Sequence, residues 1–133
     1  MTFNGSVIYH KSHWIQRICR HTTQAEMIQL SDTVCDVLYY LNMMEEFGVP
    51  VLLPVTVYCD NRSTCYLAEN STLKERTKYF QLDELFVRQW VEQGVVRVQH
   101  CMGTDTPADG LTKPYSITLH KWHEEQCGIR YFE

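Results

Sequence analysis

The feature that most constrains the fold is the β-branched run over residues 55–58, because helical patterns lie on both sides of it. A strand between two helices is typical of parallel pairing in an α/β protein, where both faces of the strand are buried. Pro54 sets its start, since proline cannot donate a ladder hydrogen bond. Asp60 follows the run almost directly. An acid at the exit of such a strand lies where α/β proteins place their chemistry, so Asp60 is the first candidate functional residue.

The longest helix is predicted over about residues 23–47, from apolar residues that recur with a period of 3.6. Thr22 or Thr23 offers an N-cap, and Gly48 followed by Pro50 indicates the end of the helix. The stripe consists of Met27, Leu30, Val34, Val37, Leu38, Leu41 and Met44.

The remaining elements are shorter. Asn4-Gly5 predicts a hairpin turn, with strands over 6–9 and 15–19 after it. A short helix is expected to have Asn61 or Ser63 as its N-cap and to end at about Ala68, and a second helix is expected over about 78–93. A strand over 95–100 and a last helix over 119–126 follow. The second of these helices has its apolar positions at Leu82, Leu85, Phe86 and Trp90. The predicted order is β-β-α-β-α-α-β-α, which describes an α/β domain over residues 1–133 with a mixed sheet and flanking helices.

Composition is that of an ordinary globular protein. The net charge of −4 weighs mildly against a nucleic-acid binder, although a cluster of acids lowers the total without affecting a basic face elsewhere. The six cysteines are widely spaced, with no C-x-x-C pair and no signal peptide, which indicates reduced thiols. We therefore expect an intracellular protein, cytoplasmic or nuclear and not secreted. No apolar run reaches the roughly 18 residues of a membrane span.

Three acids are candidate metal ligands, and each has a structural alternative. Glu26 follows Thr23 in a capping-box pattern, Asp60 could belong to a turn and N-cap pair, and Asp109 precedes Gly110 in a common turn dipeptide. Hydrolysis of phosphodiesters with two Mg²⁺ ions needs several carboxylates from element ends that meet. The start of a helix, the exit of a strand and a C-terminal helical turn could bring these three acids together.

Four sequence blocks resemble the ribonuclease H domain at the C-terminal end of copia-type retrotransposon polyproteins. The blocks are TTQAEMIQL, VYCDNRSTCYLAEN, ERTKYFQLDELFVRQWVEQGVVRVQHC and TPADGLTKP. They match the family's S-T-x-A-E, C-D-N, R-T-K-H and A-D-x-L-T-K-P segments in order and with similar gaps, over nearly the whole chain. The chain departs from the family at Tyr79, where His is common, and at Gln24, where Glu is common. An element of a yeast is the expected source.

The resemblance implies that Glu26, Asp60 and Asp109 are catalytic carboxylates that bind Mg²⁺ or Mn²⁺. They would cut the RNA strand of an RNA–DNA hybrid, in a polyprotein that also contains the reverse transcriptase. Arg76 and Lys78 match the basic segment of the family and would contact phosphate, with a solvated charged face as an equally good alternative.

The family's fold begins with a central strand that carries the first catalytic Asp, and this chain begins at about the second strand. We therefore expect a ribonuclease H-like domain that is truncated at its N-terminus, binds metal weakly or not at all, and is inactive as this chain. The open edges left beside residues 6–20 and 55–58 predict self-association. The alternatives are a non-enzymatic interaction module and a zinc site at His120, His123 and Cys127, with Cys101 or Cys59 nearby.

Overall fold

The computed structural model describes residues 1–70, 81–102, 108 and 114–129. The elements along these residues are β1 (Thr2–Phe3), β2 (Ser6–Val7), α1 (Thr22–Glu46), β3 (Val55–Cys59), α2 (Arg62–Glu69), α3 (Gln81–Glu92), β4 (Val96–His100) and α4 (Ile117–Gln126). The predicted α/β class is confirmed. The chain forms two compact units, one made of Met1–Trp14 with Met102–Glu133 and the other of Ile15–Cys101. The predicted single mixed sheet is wrong for the described residues, whose strands form two separate two-stranded sheets.

In the larger unit, β3 and β4 pair in parallel, with Val57 opposite Val98 and Tyr58 opposite Gln99. Both valines are buried, whereas Tyr58 and Gln99 are exposed. Successive side chains of a strand point to opposite faces, so this sheet has one buried face and one exposed face. The expected strand is therefore present, but the expectation that both of its faces are buried is wrong for the part of the chain described.

Helix α1 supplies much of the core, and its predicted bounds are confirmed to within one residue. Burial is concentrated in its first half, from Met27 to Val37, while Leu41 and Met44 are only partly buried. The helix contacts β3, α2 and α3. It ends before Gly48, whose φ of +67° is a conformation that favours glycine.

Helix α3 is rotated relative to the predicted apolar stripe. Leu82 is 82% exposed and Leu85 is 43% exposed, whereas Glu84, Val87 and Arg88 are buried. Glu84 and Arg88 form a buried ion pair one turn apart, and Arg88 Nη2 also lies 3.4 Å from the Leu67 carbonyl oxygen of α2. Paired charges can be buried, so Glu84 and Arg88 take core positions. The predicted stripe is therefore wrong at Leu82 and Leu85, while its other members, Phe86 and Trp90, are partly buried.

In the smaller unit, β1 and β2 form the predicted hairpin, although both strands are only two residues long. Asn4 and Gly5 adopt positive φ angles of 49° and 80°, as a tight hairpin turn requires. The strand predicted over 15–19 is wrong, since residues 8–21 form no regular element. Ile18 in that segment is 94% exposed. Among the described residues, its apolar side chain therefore packs against nothing that would stabilise a strand there. None of the helices described here has the length and apolar character needed to cross a membrane.

Candidate metal centre

Asp60 lies between the end of β3 and the start of α2, and its side chain is exposed. The N-cap of α2 is Asn61, whose Oδ1 accepts the Thr64 N–H at 3.1 Å. The capping role is therefore filled by Asn61, and the Asp60 carboxylate is not used for it. Nε2 of His100 lies 3.1 Å from the Asp60 carbonyl oxygen, to which it donates in the tautomer that carries a proton there.

Glu26 lies one turn inside α1 and is partly buried. The helix begins after His21, which makes no side-chain cap bond, so the predicted threonine N-cap is wrong. Gln24 links the first turn of the helix to the preceding segment, because its Oε1 accepts a hydrogen bond from the Arg20 N–H at 3.0 Å. The capping-box interpretation of Glu26 is also wrong, because its neighbour takes the reciprocal role that such a box needs.

The contact between α1 and β3 brings Glu26 and Asp60 together, with Cys59 beside them. One potential ligand atom from each of these three residues lies within 4.8 Å of the other two. In the described part of the chain, this is the one group of three or more His, Cys, Asp or Glu side chains so placed. From the sequence, Cys59 is not placed with these two acids and is considered only as a thiol near the alternative zinc site.

The environment of this group disfavours negative charge. Burial raises the pKa of Glu26 above its ordinary value, and the neighbouring charge of Asp60 raises that pKa further. Burial also raises the pKa of Cys59 to about 12, so the thiol is protonated at neutral pH. A divalent cation between the carboxylates would remove the repulsion that the two acids otherwise exert on each other.

The carboxylates fit a divalent cation by type and by spacing. Mg²⁺ holds oxygen ligands at about 2.1 Å, so two ligands on opposite sides of one ion are about 4.2 Å apart. The separation of at most 4.8 Å between the Glu26 and Asp60 ligand atoms is close to that value. Glu26 lies near the start of α1 and Asp60 lies between β3 and α2, so regular elements restrict the backbone of both acids.

Three of the predicted site residues, Asp109, Arg76 and Lys78, lie outside the described residues. At the alternative zinc site, His123 Nε2 lies 3.7 Å from Cys127 Sγ, while His120 Nδ1 lies 3.4 Å from a carboxylate oxygen of Glu124. No further His, Cys, Asp or Glu of the described ranges completes a metal-sized group around the pair of His123 and Cys127.

Comparison with known proteins identifies relatives over most of the chain. The chain is 32% identical over 133 aligned positions to the retrovirus-related Pol polyprotein from transposon RE2 of Arabidopsis thaliana, and 30% identical to that from transposon RE1. Over 112 positions it is 30% identical to the corresponding polyprotein from transposon TNT 1-94 of Nicotiana tabacum. All three are polyproteins of plant transposons.

The alignments with the two Arabidopsis proteins cover 95% of this chain but 9% of each relative, and the tobacco alignment covers 84% and 8%. The chain is thus similar to one segment of retrovirus-related Pol polyproteins and spans about a tenth of the length of these relatives. No family model and no solved structure matches it. The expected yeast source stays a prediction.

Proposed function

We propose that this chain corresponds to the ribonuclease H segment of a copia-type retrotransposon Pol polyprotein. Its reaction would be metal-dependent cleavage of the RNA strand in an RNA–DNA hybrid. The similarity to transposon Pol polyproteins over 95% of the chain supports the origin. The observation that carries the proposed chemistry is the meeting of Glu26 and Asp60, which come from separate sequence blocks that resemble that domain.

Glu26 and Asp60 would hold Mg²⁺ or Mn²⁺, with Asp109 as a further ligand. The bound cation would supply Lewis-acid stabilisation of the phosphate and a water of lowered pKa. The protein's own contribution is to fix the ligands. Helix α1 positions Glu26, and the contact from His100 to the Asp60 carbonyl oxygen holds the strand exit in place. The exposed Asp60 carboxylate is the member of the pair that a nucleic-acid substrate could approach.

We also propose that the 133-residue chain has little or no activity by itself. Two-metal hydrolysis needs several carboxylates around the ions, and the described residues bring together two. Misplacement of catalytic groups of this kind costs on the order of 10²-fold in rate. Under this proposal the chain binds a cation at Glu26 and Asp60 but does not organise the second ion well enough for efficient cleavage.

The test measures cation binding and cleavage on the same purified chain. Electron paramagnetic resonance of free Mn²⁺ reports binding, which should be lost in a Glu26→Gln, Asp60→Asn variant. Glu92→Gln is the matched control, because this exposed acid precedes β4 and so lies at the end of the sheet opposite Asp60. Unchanged Mn²⁺ binding in the double variant would overturn the metal assignment.

Cleavage is measured with a labelled RNA–DNA hybrid, with the same RNA unpaired as the comparison substrate. We expect no cleavage by the wild-type chain above the level of the double variant. Hybrid-specific cleavage that Asp60→Asn abolishes would support the ribonuclease H assignment and refute the proposed inactivity. Equal cleavage of unpaired RNA, also lost in Asp60→Asn, would show a nuclease of a different substrate class.

A further inference from the structure

We propose that Glu26, Cys59 and Asp60 form a mixed oxygen and sulfur site that takes a thiophilic divalent ion of the Zn²⁺ class, with the Cys59 thiolate as a direct ligand. This inference deepens the proposed function, on which its meaning for catalysis rests. It names a third ligand and a different class of metal for the same two carboxylates.

The first support is the spacing of the ligand atoms. Cys59 Sγ and one carboxylate oxygen from each acid lie within 4.8 Å of one another. In a tetrahedral zinc site the metal–sulfur distance is about 2.3 Å and the metal–oxygen distance about 2.1 Å, which places sulfur and oxygen about 3.6 Å apart. The observed limit of 4.8 Å exceeds that distance by about 1.2 Å, so the three side chains would have to draw together around the ion.

The second support is the way the backbone of the two adjacent ligands is held. The Cys59 carbonyl oxygen accepts the Cys101 N–H at 3.0 Å, and the Cys65 thiol lies 3.8 Å from the same oxygen. The Asp60 carbonyl oxygen faces His100 Nε2 at 3.1 Å. The end of β3 is therefore fixed by β4 and α2, and the two ligands are attached to a restrained segment of chain.

The third support is the chemistry of the donor set. Without a metal, the partly buried Cys59 thiol makes sulfur-type contacts in the described part of the chain: Sγ lies 3.8 Å from the Asn61 carbonyl oxygen and also interacts with the Cys65 thiol. Thiols are weak donors and acceptors, so both contacts compensate little for burial. Mg²⁺ gains little from sulfur, whereas Zn²⁺ and Co²⁺ bind thiolates well. On binding, the S–H bond of Cys59 breaks, its proton passes to the buffer and a metal–sulfur bond forms, with no change in oxidation state.

A consequence for the proposed reaction follows from competition. A zinc ion held by two carboxylates and a thiolate occupies the ligands that Mg²⁺ or Mn²⁺ would use. We therefore expect Zn²⁺ to displace Mn²⁺ from the chain, and to do so much less well when Cys59 is replaced by serine.

The experiment uses Co²⁺ as the spectroscopic probe for zinc, on the full chain kept reduced by a phosphine. A thiolate ligand gives a sulfur-to-cobalt charge-transfer band in the near ultraviolet. We expect one equivalent of Co²⁺ to produce this band, Zn²⁺ to bleach it, and Cys59→Ser to abolish it while Mn²⁺ binding persists. The loss of one ligand should weaken Zn²⁺ binding by at least 10- to 100-fold, the range seen even for residues that only orient ligands.

Two control variants keep the result interpretable. Cys35→Ser removes an exposed cysteine of α1 and should leave the band unchanged. Glu26→Gln should weaken Co²⁺ binding, with the band still visible at higher Co²⁺ concentration. A band that survives in Cys59→Ser, or stoichiometric Co²⁺ binding without any thiolate band, would overturn the inference. If Cys59→Ser loses its cooperative melt, the wild-type band and its bleaching by Zn²⁺ still decide whether a thiolate is bound.

The outcomes also separate this inference from the proposed function. A thiolate band with no Mn²⁺ binding at the two acids would leave the mixed site in place and remove the ribonuclease H proposal. Asp60-dependent Mn²⁺ binding without a thiolate band would do the reverse.

Discussion

Replacing Glu26 by glutamine should make the metal-free protein more stable at neutral pH. The pKa of Glu26 is raised in the folded protein by burial and by the charge of Asp60, relative to an ordinary value of 4.5. The folded state therefore holds this proton more tightly than the unfolded state does. The stabilising contribution is complete below pH 4.5 and is lost as the pH rises through the folded pKa. Glutamine has nearly the same shape and never carries the charge.

Burial is the larger cause of the raised pKa, and the repulsion between the two acids gives a minimum for the size of the effect. Unit charges 4.8 Å apart repel by about 1 kcal/mol in a water-like dielectric, which suits the exposed Asp60. A gain of about 1 kcal/mol would raise the melting temperature of a chain of 133 residues by about 4 °C. Asp60→Asn removes the same repulsion, so the double variant should gain less than the sum of the two single variants.

The assay is thermal unfolding followed by circular dichroism between pH 4 and pH 8, in a chelator that removes stray cations. Wild type and Glu26→Gln should melt at similar temperatures at pH 4 and diverge as the pH rises. Adding Mn²⁺ should reverse the order at pH 7, since a ligand at 100 times its Kd stabilises the protein that binds it by about 2.7 kcal/mol.

Glu92→Gln serves as the control for the loss of one negative charge, and its melting temperature should change little. The reasoning would be refuted if Glu26→Gln lowered the melting temperature at pH 7, or raised it equally at pH 4 and pH 7. The first result would show that the Glu26 carboxylate has a structural partner, and the second that the gain does not depend on its charge.

Three further predictions concern the surroundings of the site. Glu84→Gln or Arg88→Met alone should lower the free energy of unfolding by about 3–5 kcal/mol in a urea titration, because each substitution leaves a buried charge unpaired. The double variant should lose less stability than the sum of the two single variants. Asn61→Ala should cost about 1 kcal/mol in the same titration through loss of the α2 cap, and an unchanged midpoint would contradict that role. Iodoacetamide at pH 8 should modify the exposed Cys35 much faster than Cys59, because burial raises the pKa of the Cys59 thiol to about 12. Equal modification rates by mass spectrometry would show that burial does not suppress the reactivity of Cys59.

The elements that sequence reasoning located well are those fixed by local physics. Helix α1 and strand β3 were both placed to within one residue. Helix α1 is predicted by a long apolar stripe of period 3.6 that ends at a glycine, and β3 by a β-branched run after a proline. In both cases the pattern lies entirely within the segment that it predicts. The Asn61 cap was likewise among the predicted candidates, because capping depends on only three or four residues.

The errors arose where tertiary contacts decide the outcome. The run from Ile15 to Cys19 has strand-like composition, but the described structure gives it no strand partner. The buried face of α3 was predicted from its apolar residues, and the buried ion pair of Glu84 and Arg88 shifts that face away from Leu82 and Leu85. Neither a missing partner strand nor the burial of a charge pair can be read from a single segment of sequence.

Asp60 and Glu26 lie beside helix ends, but neither carboxylate caps the helix that it adjoins. The turn and N-cap pair predicted at Asp60 and Asn61 is present, with Asn61 as the cap of α2 and the Asp60 carboxylate outside that cap. The capping box predicted for Glu26 is absent, and Gln24 accepts the bond from the chain before α1. The two acids are thus not needed to form the helix ends beside which they lie. Burial raises the pKa of Glu26, and the nearby charge of Asp60 raises that pKa further, so the charged form of Glu26 costs the folded protein stability. The cation that we propose between these carboxylates would compensate for that cost by binding the folded state.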